Sequence, residues 1–336
     1  MDNKKITIIG AGSWGCALAS LLKDNGHDIL LYDNNIDIVD AINKYHTSIK
    51  IPGSFLDESI LASTDLNKAV NFSDIILTVV PTKVVRSVLK SIAKEISSEK
   101  LFINAAKGIE AITNKRISEI VKEEIPSKYL KGFVSLTGPS HAEEVINKKL
   151  TLVTSACEDI SLAKYVQEIF SNKDYFRVYT SDDLVGAEVC GALKNVYAIA
   201  SGFCEGMGFG VNARAALITR SLAEIRRLAV FMGAKESTLL GLTGVGDMIV
   251  TCTSKLSRNY QAGLMIANGE NLKEALSKIT MVVEGANTCI AAFDIARKNN
   301  IYMPIVSAVY NVIYKMNDPK IEIAKLMGSD LQSENF

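Results

Sequence analysis

The first half of the chain alternates short apolar segments with longer segments of mixed polarity. Apolar, β-branched runs of a few residues that end at glycine, asparagine or proline are typical of buried strands. We predict such strands at residues 5–9, 28–32, 75–80, 101–105, 132–136 and 150–154. Apolar residues spaced three or four apart predict helices at residues 16–23, 36–45 and 84–96. This alternation favours βαβ units, in which the strands form a parallel sheet.

After about residue 180 the helical spacing continues and strand signals become rare. Helices are predicted at residues 185–202, 213–232, 260–268, 285–298 and 305–316. We therefore expect an α/β domain over residues 1–180, built on a doubly wound, mostly parallel sheet, and a mostly α-helical domain over residues 181–330. The polar tail after Gly328 is expected to fray.

Composition narrows the class of protein. The 336 residues include 37 Lys+Arg and 37 Asp+Glu, so the net charge is zero and no nucleic-acid or anionic-membrane surface is indicated. The longest apolar runs fall well short of the ~20 residues that span a bilayer. Six cysteines without a CxxC pair and three scattered histidines favour a cytoplasmic protein with reduced thiols and argue against a zinc site.

A glycine motif, GAGSWG at residues 10–15, stands between the first predicted strand and the first predicted helix. Gly10 permits a tight turn, Gly12 lets a pyrophosphate approach the backbone, and Gly15 lets the helix pack closely on the strand. The N–H groups at the helix start would then face the anion. In this context the motif predicts dinucleotide binding, although a structural turn would use the same glycines.

Asp33 follows the second predicted strand, 18 residues after Gly15. A carboxylate there suits hydrogen bonding to a ribose 2′-hydroxyl and repels a 2′-phosphate, so it favours NAD over NADP. The next residues, Asn34 and Asn35, are neutral, whereas an NADP site would benefit from a cation. An Asx turn after the strand explains the same three residues.

Two further polar clusters follow predicted strand ends, where parallel sheets bind their ligands. Lys107 comes shortly after the strand at 101–105. It is either a ligand-binding group or a solvated loop lysine. The segment GPSHA at 138–142 follows the strand at 132–136. Its glycine and proline would shape the turn, and Ser140 would cap the next helix. His141 alone does not indicate catalysis.

Lys194 is the most distinctive residue of the second half, because it stands alone in an apolar helix rich in small residues. Its charged end either reaches solvent along the helix surface or is held in a cleft. In a cleft, burial would lower its pKa toward the range useful for acid–base chemistry. Both interpretations remain open on the sequence alone.

Two downstream segments could complete such a cleft. Asp247 ends the segment LTGVGD at 242–247, after two glycines that we expect to be flexible. Ser257, Arg258 and Asn259 open a predicted helix. A capping hydroxyl, a forked cation, an amide and free N–H groups would together suit a phosphate. An ordinary capped surface helix would carry the same residues.

Taken together, six segments resemble the NAD(P)-dependent sn-glycerol-3-phosphate dehydrogenase family of the bacterial type. They are GAGSWG at 10–15, AAKGIE at 105–110, GPSHAEEV at 138–145, EVCGALKNVYAIASG at 188–202, GVGDMIVTCTSKLSRNY at 244–260 and VVEG at 282–285. Their order and spacing cover nearly the whole chain. The resemblance implies a homodimeric enzyme, without a metal, that transfers hydride reversibly between NAD(P)H and dihydroxyacetone phosphate. Its product, sn-glycerol 3-phosphate, is a precursor for glycerophospholipid synthesis.

The resemblance also assigns roles to matching positions, with Lys194 as the catalytic proton acceptor. The expected cofactor-binding set combines these positions with the glycine motif and the acidic residue after the second strand. It consists of Gly10, Gly12, Ser13, Trp14, Gly15, Asp33, Lys107, Ala142, Arg258, Val282 and Glu284. The substrate-binding set is Lys107, Gly138, Ser140, Lys194, Asp247, Ser257, Arg258 and Asn259.

Two departures from the family pattern concern the cofactor. Asn34 and Asn35 stand where many relatives carry basic residues, and the segment 44–52 matches the family only loosely, so we assign it no cofactor contact.

Two other functions remain open from the sequence. A β-hydroxyacid or ketopantoate-type reductase has a similar two-domain plan, and its carboxylate substrate would also suit Arg258 and Lys107. A dinucleotide sensor without turnover is the other alternative. Retention of Lys107, Lys194 and Asp247 argues against it, because a sensor has no need of them.

Overall fold

The computed structural model describes residues 3–279 and 282–328. The strands are β1 (Lys5–Ile9), β2 (Asp28–Tyr32), β3 (Leu61–Ser63), β4 (Ile75–Thr78), β5 (Lys100–Asn104), β6 (Leu130–Thr137), β7 (Thr151–Ala156) and β8 (Phe176–Ser181). The helices that accompany them are α1 (Ser13–Asp24), α2 (Ile36–Tyr45), α3 (Leu66–Phe72), α4 (Thr82–Glu95), α5 (Ile117–Glu124), α6 (Ala142–Ile146) and α7 (Ile160–Phe170).

The second half of the described chain is helical. It contains α8 (Leu184–Gly206), α9 (Val211–Phe231), α10 (Asp247–Thr253), α11 (Arg258–Ala267), α12 (Leu272–Lys278), α13 (Glu284–Lys298), α14 (Pro304–Lys315) and α15 (Pro319–Met327). A 3₁₀ turn at Glu236–Leu240 and a short π-helix at Leu242–Gly246 precede α10.

All eight strands belong to one sheet, in the order β3-β2-β1-β4-β5-β6-β7-β8. Neighbouring strands are parallel except β6 and β7, which pair antiparallel. The predicted class, an α/β fold with a mostly parallel sheet followed by helices, is confirmed. The chain order reverses direction beside β1, and the crevice at such a reversal is where open α/β sheets bind ligands.

The sheet is doubly wound because its strands are apolar on both faces. Ile8 packs in the cluster that holds Leu18 of α1, whereas the next residue, Ile9, packs in the cluster that holds Leu89 of α4. Successive side chains of a strand point to opposite faces, so one short apolar run supplies two cores.

Some elements were not predicted. β3 has only three residues, too few for a period to show. β8 buries Phe176 and Val178 while Arg177 and Tyr179 are exposed, the alternation of an edge strand. The helices α3, α5, α6, α7, α10, α12 and α15 are short or weakly marked by pattern.

Helix α8 is buried along almost its whole length and packs against α9, α10, α11 and α13. The crossing with α11 is close. A Cβ atom at Gly263 would lie 2.0 Å from the backbone oxygen of Ile199, and one at Gly202 would lie 2.2 Å from that of Tyr260. Glycines at these crossings therefore bring Lys194 and the start of α11 to one side of the molecule.

The boundary expected near residue 180 lies in the last residues of β8, shortly before α8 begins, and the two-domain division stays a prediction. The expected fraying after Gly328 concerns residues that lie outside the described part of the chain. Among residues 3–279 and 282–328, each helix is too short or too polar to traverse a lipid bilayer.

Candidate active site

The polar clusters singled out above meet at one edge of the sheet. Strands β1, β4, β5 and β6 run parallel, so the loops that follow them lie side by side. Two adjoining cavities open there, of about 560 Å³ and about 170 Å³, and the helical half closes the second from the other side. We call them the large cavity and the small cavity. Trp14, Ala105, Lys107, Arg258, Val282 and Glu284 line both of them.

The glycine motif forms the floor of the large cavity. Gly10 has φ +109°, a conformation that side chains disfavour, and a Cβ atom there would lie 2.9 Å from the backbone oxygen of Val79. A Cβ atom at Gly15 would lie 2.0 Å from the oxygen of Gly10, so Gly15 packs the helix on the strand and does not line the cavity. At Gly12 a Cβ atom would meet no atom of the described residues within 4 Å.

Asp33 uses both carboxylate oxygens to shape this loop. Oδ2 accepts from the backbone N–H of Ala11 at 3.0 Å, and Oδ1 accepts from that of Asn35 at 3.0 Å. The Asx turn therefore exists, and Asp33 lines the large cavity as well. The structure combines the two interpretations that the sequence left as alternatives.

Lys50 and Asn34 also line the large cavity, although no cofactor contact was expected from segment 44–52 or from Asn34. The loop after α2 reaches the site because the Ser13 hydroxyl donates to the backbone oxygen of Lys50 at 3.1 Å. The loop lies some 37 residues beyond the glycine motif. Only the folded chain brings these segments together.

Three charged groups from both halves of the chain meet in the small cavity. Asp247 is completely buried and accepts hydrogen bonds from two lysines, Lys194 at Oδ1 and Lys107 at Oδ2, the latter at 2.8 Å. Lys194 also donates to the hydroxyl of Thr251 at 2.8 Å, and Lys107 to the backbone oxygen of Gly138 at 2.8 Å. We call Lys107, Lys194 and Asp247 the charged triad.

Lys194 is only 6% exposed, which decides between the two interpretations of its helix: it is held in the cleft. Burial lowers its pKa to about 7; the Asp247 carboxylate opposes this shift, and the positive charge of Lys107 adds to it. An amine with this pKa exchanges its proton readily near neutral pH.

The glycines before Asp247 were expected to be flexible, and the structure contradicts this. They belong to the π-helix Leu242–Gly246, where a Cβ atom at Gly244 would lie 2.1 Å from the backbone oxygen of Leu239. Gly244 is therefore needed for close packing, which fixes the position of Asp247 instead of loosening it.

A chain of amides ties the start of α11 to α8 and α13. Asn259 donates to the side-chain oxygen of Asn195 at 2.9 Å and accepts from the backbone N–H of Gly285 at 2.8 Å. Asn195 also donates to the backbone oxygen of Lys107 at 3.4 Å. Ser257 caps α11 as expected, accepting from the N–H of Tyr260 at 3.3 Å. These bonds hold the triad beside the helix start.

Arg258 lines both cavities, and part of its hydrogen-bonding capacity is unused among the described residues. Its Nη2 atom lies 3.6 Å from Glu143 Oε1, and its Nε atom is buried with no hydrogen-bond partner among the described residues. Burial lowers the pKa of Arg258, and the Glu143 charge opposes this. A partly buried guanidinium whose Nε donor has no partner among the described residues is suited to an anionic ligand.

Glu284 faces both cavities from the start of α13. Its Oε1 atom accepts from the backbone N–H of Thr82 at 2.9 Å, while Oε2 is buried without a partner among the described residues. Burial raises the pKa of this carboxyl.

Ser140 does not cap the helix that follows it, contrary to the expectation from sequence. Helix α6 begins after His141, whose side chain makes no capping bond, and the Ser140 hydroxyl turns back to donate to Gly138 O at 3.0 Å. Both side chains instead line the small cavity.

The structure thus gathers nearly all of the expected site residues. Of these, Gly10, Gly12, Ser13, Trp14, Asp33, Lys107, Arg258, Val282 and Glu284 line the large cavity. Ser140, Ala142, Lys194, Asp247, Ser257 and Asn259 line the small cavity with the shared residues. Gly15 and Gly138 are not among the residues that line either cavity. Ala142, expected at the cofactor, is on the small-cavity side.

Comparison with known proteins agrees with this arrangement. The sequence model of the NAD-dependent glycerol-3-phosphate dehydrogenase N-terminus matches residues 5–163, and that of the C-terminus matches residues 183–324. The chain belongs to the NAD-dependent glycerol-3-phosphate dehydrogenase family. The resemblance inferred from the six segments is therefore confirmed.

Individual members of the family are similar over their full length. The glycerol-3-phosphate dehydrogenase (NAD(P)+) of Staphylococcus carnosus is 48% identical over 98% of this chain and 99% of its own. That of Enterococcus faecalis is 46% identical over 99% and 98%. The crystal structure of the glycerol-3-phosphate dehydrogenase of Coxiella burnetii superposes with a TM-score of 0.92 at 34% identity, covering 97% of this chain and 99% of that one.

Proposed function

We propose that this protein catalyses the reversible, NAD(P)H-linked reduction of dihydroxyacetone phosphate to sn-glycerol 3-phosphate, a precursor for glycerophospholipid synthesis. The observation that carries the proposal is the charged triad in a small cavity that shares its walls with the dinucleotide-sized large cavity. Family membership supports the same substrate pair.

The large cavity suits a dinucleotide. The space beside Gly12 is open where a side chain would stand, and α1 begins there without a side-chain cap, so its first N–H groups are available to a pyrophosphate. Gly12, Ser13, Trp14 and Asp33 would hold the cofactor at this end, and Glu284 would hold it near the small cavity. When bound, the cofactor supplies or accepts the hydride at its nicotinamide ring.

Lys194 and Lys107 would act on the C2 oxygen of the substrate. An ammonium group has three N–H donors, and among the described residues each lysine uses two of them on protein oxygens. The remaining donors suit the negative charge that develops on the C2 oxygen during reduction. Lys194 then donates its Nζ proton to that oxygen, and in the oxidative direction its neutral amine accepts the proton.

Arg258 would bind the phosphate group, with the capped start of α11 beside it. Its buried Nε donor has no protein partner among the described residues, and the helix N-terminus favours an anion. Binding energy gained at this remote group positions C2 for reaction.

We propose NAD as the preferred cofactor, although the names of relatives, such as that from Staphylococcus carnosus, include both NAD and NADP. Asp33 carries a negative charge at the end of β2, where the ribose 2′-hydroxyl of the adenosine would lie, and would repel a 2′-phosphate. Lys50 also lines the large cavity, and a measured preference for NADPH would indicate that this cation offsets the repulsion.

We also propose a cytoplasmic homodimer. The helical half exposes large apolar side chains at Phe231, which is 55% exposed, and Leu240, which is 83% exposed. Where exposed apolar side chains form a contiguous patch, they favour pairing of subunits. Sedimentation of the purified protein would measure the mass directly, and a monomer at assay concentration would refute the dimer.

The direct test is to follow NADH and NADPH oxidation side by side with dihydroxyacetone phosphate, with ketopantoate as the competing substrate. We expect turnover with the phosphorylated ketone and a higher kcat/KM with NADH. Turnover with ketopantoate alone would favour a hydroxyacid reductase, and no turnover with either substrate would favour a sensor.

A further inference from the structure

His141 is a polar group in the small cavity to which neither the sequence nor the mechanism gives a role. It stands directly after the turn that follows β6, and it lines the cavity with Lys194 and Arg258. Its Nε2 atom is buried, and no group of the described residues is its hydrogen-bond partner. Burying a polar atom without a partner costs free energy, so a ligand group at this point would recover that cost.

The surroundings of His141 favour a neutral ring. Burial and the positive charges of Lys194 and Lys107 lower its pKa, while Glu143 and Glu144 on α6 act in the opposite direction. A neutral imidazole has one nitrogen that donates and one that accepts. It therefore suits a hydroxyl group, which can play either part, better than a phosphate dianion, which calls for cationic donors.

The unsatisfied atoms of the small cavity can be assigned one by one to groups of the substrate or the cofactor. Among the described residues that line it, three side-chain atoms are buried without a partner: Arg258 Nε, Glu284 Oε2 and His141 Nε2. Arg258 suits the phosphate. Glu284 also faces the large cavity and suits the cofactor. With the C2 oxygen at the charged triad, the C1 hydroxyl is the polar group of the substrate that remains for His141.

We propose that His141 hydrogen-bonds the C1 hydroxyl of dihydroxyacetone phosphate and thereby selects substrates that carry this hydroxyl. The inference rests on the proposed function. His141 is in this sense a specificity-determining residue: it contacts the substrate away from the reacting carbon and transfers no proton.

The test uses two substrates that differ only at this position, dihydroxyacetone phosphate and hydroxyacetone phosphate, in which a methyl group replaces the hydroxymethyl group. The wild-type enzyme, His141→Phe and His141→Gln are compared by kcat/KM on both. Phenylalanine retains a flat ring without nitrogens, and glutamine retains a hydrogen-bonding amide. Because the readout is the ratio of two substrates on one protein, a general loss of folded enzyme cancels.

We expect His141→Phe to reduce the preference for the hydroxylated substrate about tenfold, in the range for a buried neutral hydrogen bond. Glutamine should restore part of the preference. NADH affinity, read from quenching of Trp14, the single tryptophan, should stay the same.

Two outcomes for the His141 variants would contradict the inference. Equal losses on both substrates would overturn the inference, because His141 would then act on the phosphate, the carbonyl or the fold. An unchanged preference in His141→Phe would overturn it too. Failure of the proposed function would look different, since the wild-type enzyme would then turn over neither substrate.

Discussion

Asp247→Asn is the most informative perturbation of the charged triad. The substitution keeps the size of the side chain and removes the negative charge that faces both lysines. Because Asp247 stabilises the protonated form of Lys194, its loss should lower the pKa of Lys194 further below the wild-type value of about 7.

The scale of this effect follows from Coulomb's law. Unit charges about 4 Å apart at an effective dielectric constant of about 20 interact by about 4 kcal/mol. At about 1.4 kcal/mol per pH unit, this corresponds to a displacement of about three pH units. Relaxation of the cavity will reduce the displacement, and we expect about one pH unit or more. Removing one partner of a buried ion pair also costs about 3–5 kcal/mol of unfolding free energy.

The assay is the pH dependence of kcat/KM in both reaction directions, at saturating cofactor. Reduction requires the Lys194 proton, so its rate falls as pH rises through the pKa, and in Asp247→Asn this fall should come at lower pH. Oxidation requires the neutral amine, so its rise should also come at lower pH. The matched control is Asp182→Asn, which removes a carboxylate from an exposed pair with Lys235 at 2.6 Å and should leave both profiles unchanged.

The reasoning fails if Asp247→Asn folds, turns over and shows both limbs at the wild-type pH. Lys194 would then not be the titrating group. A displacement to higher pH would show that Asp247 does not stabilise the ammonium form. Thermal unfolding of the variant, measured alongside, separates loss of fold from loss of chemistry.

Three further substitutions probe the rest of the site. Lys194→Ala should lower kcat by about 10²–10⁴-fold, the usual contribution of a positioned acid–base group, with NADH affinity nearly unchanged in a fluorescence titration; near-normal kcat would exclude the acid–base role. Arg258→Ala should raise KM for dihydroxyacetone phosphate by about 10–100-fold, the value of a charge-assisted hydrogen bond, and should remove the discrimination against unphosphorylated dihydroxyacetone; an unaltered KM would mean that the phosphate binds elsewhere. Asp33→Ala should reduce the ratio of NADH to NADPH turnover, and a wild-type enzyme that already prefers NADPH would contradict the electrostatic argument.

The local pattern of apolar residues was sufficient to predict the bounds of the strands that position the site. Lys5–Ile9 and Asp28–Tyr32 have the bounds expected from their apolar runs, and β5 differs by one residue at each end. Such central strands are buried on both faces, which leaves an uninterrupted apolar signal in the sequence. The edge strand β8 gives a weaker, alternating signal and was missed.

Side-chain partners could not be predicted in the same way. Ser140 is next to a helix start and satisfies the local rule for a cap, yet its hydroxyl bonds to Gly138. The glycines before Asp247 look flexible in a sequence, yet Gly244 is fixed by contact with Leu239. In both cases a tertiary neighbour competes with the local preference and prevails.

The sequence by itself determined the order of strands and helices, the glycine loop, and the types of ionisable residue available at each strand end. It could do so because these features depend on neighbours within a few residues. Tertiary structure alone decided that Lys107 and Lys194 share one buried carboxylate, that Lys50 reaches the large cavity, and that the Nε2 atom of His141 has no hydrogen-bond partner among the described residues. Those relations join groups as many as 140 residues apart, and both burial and electrostatics depend on the space between them.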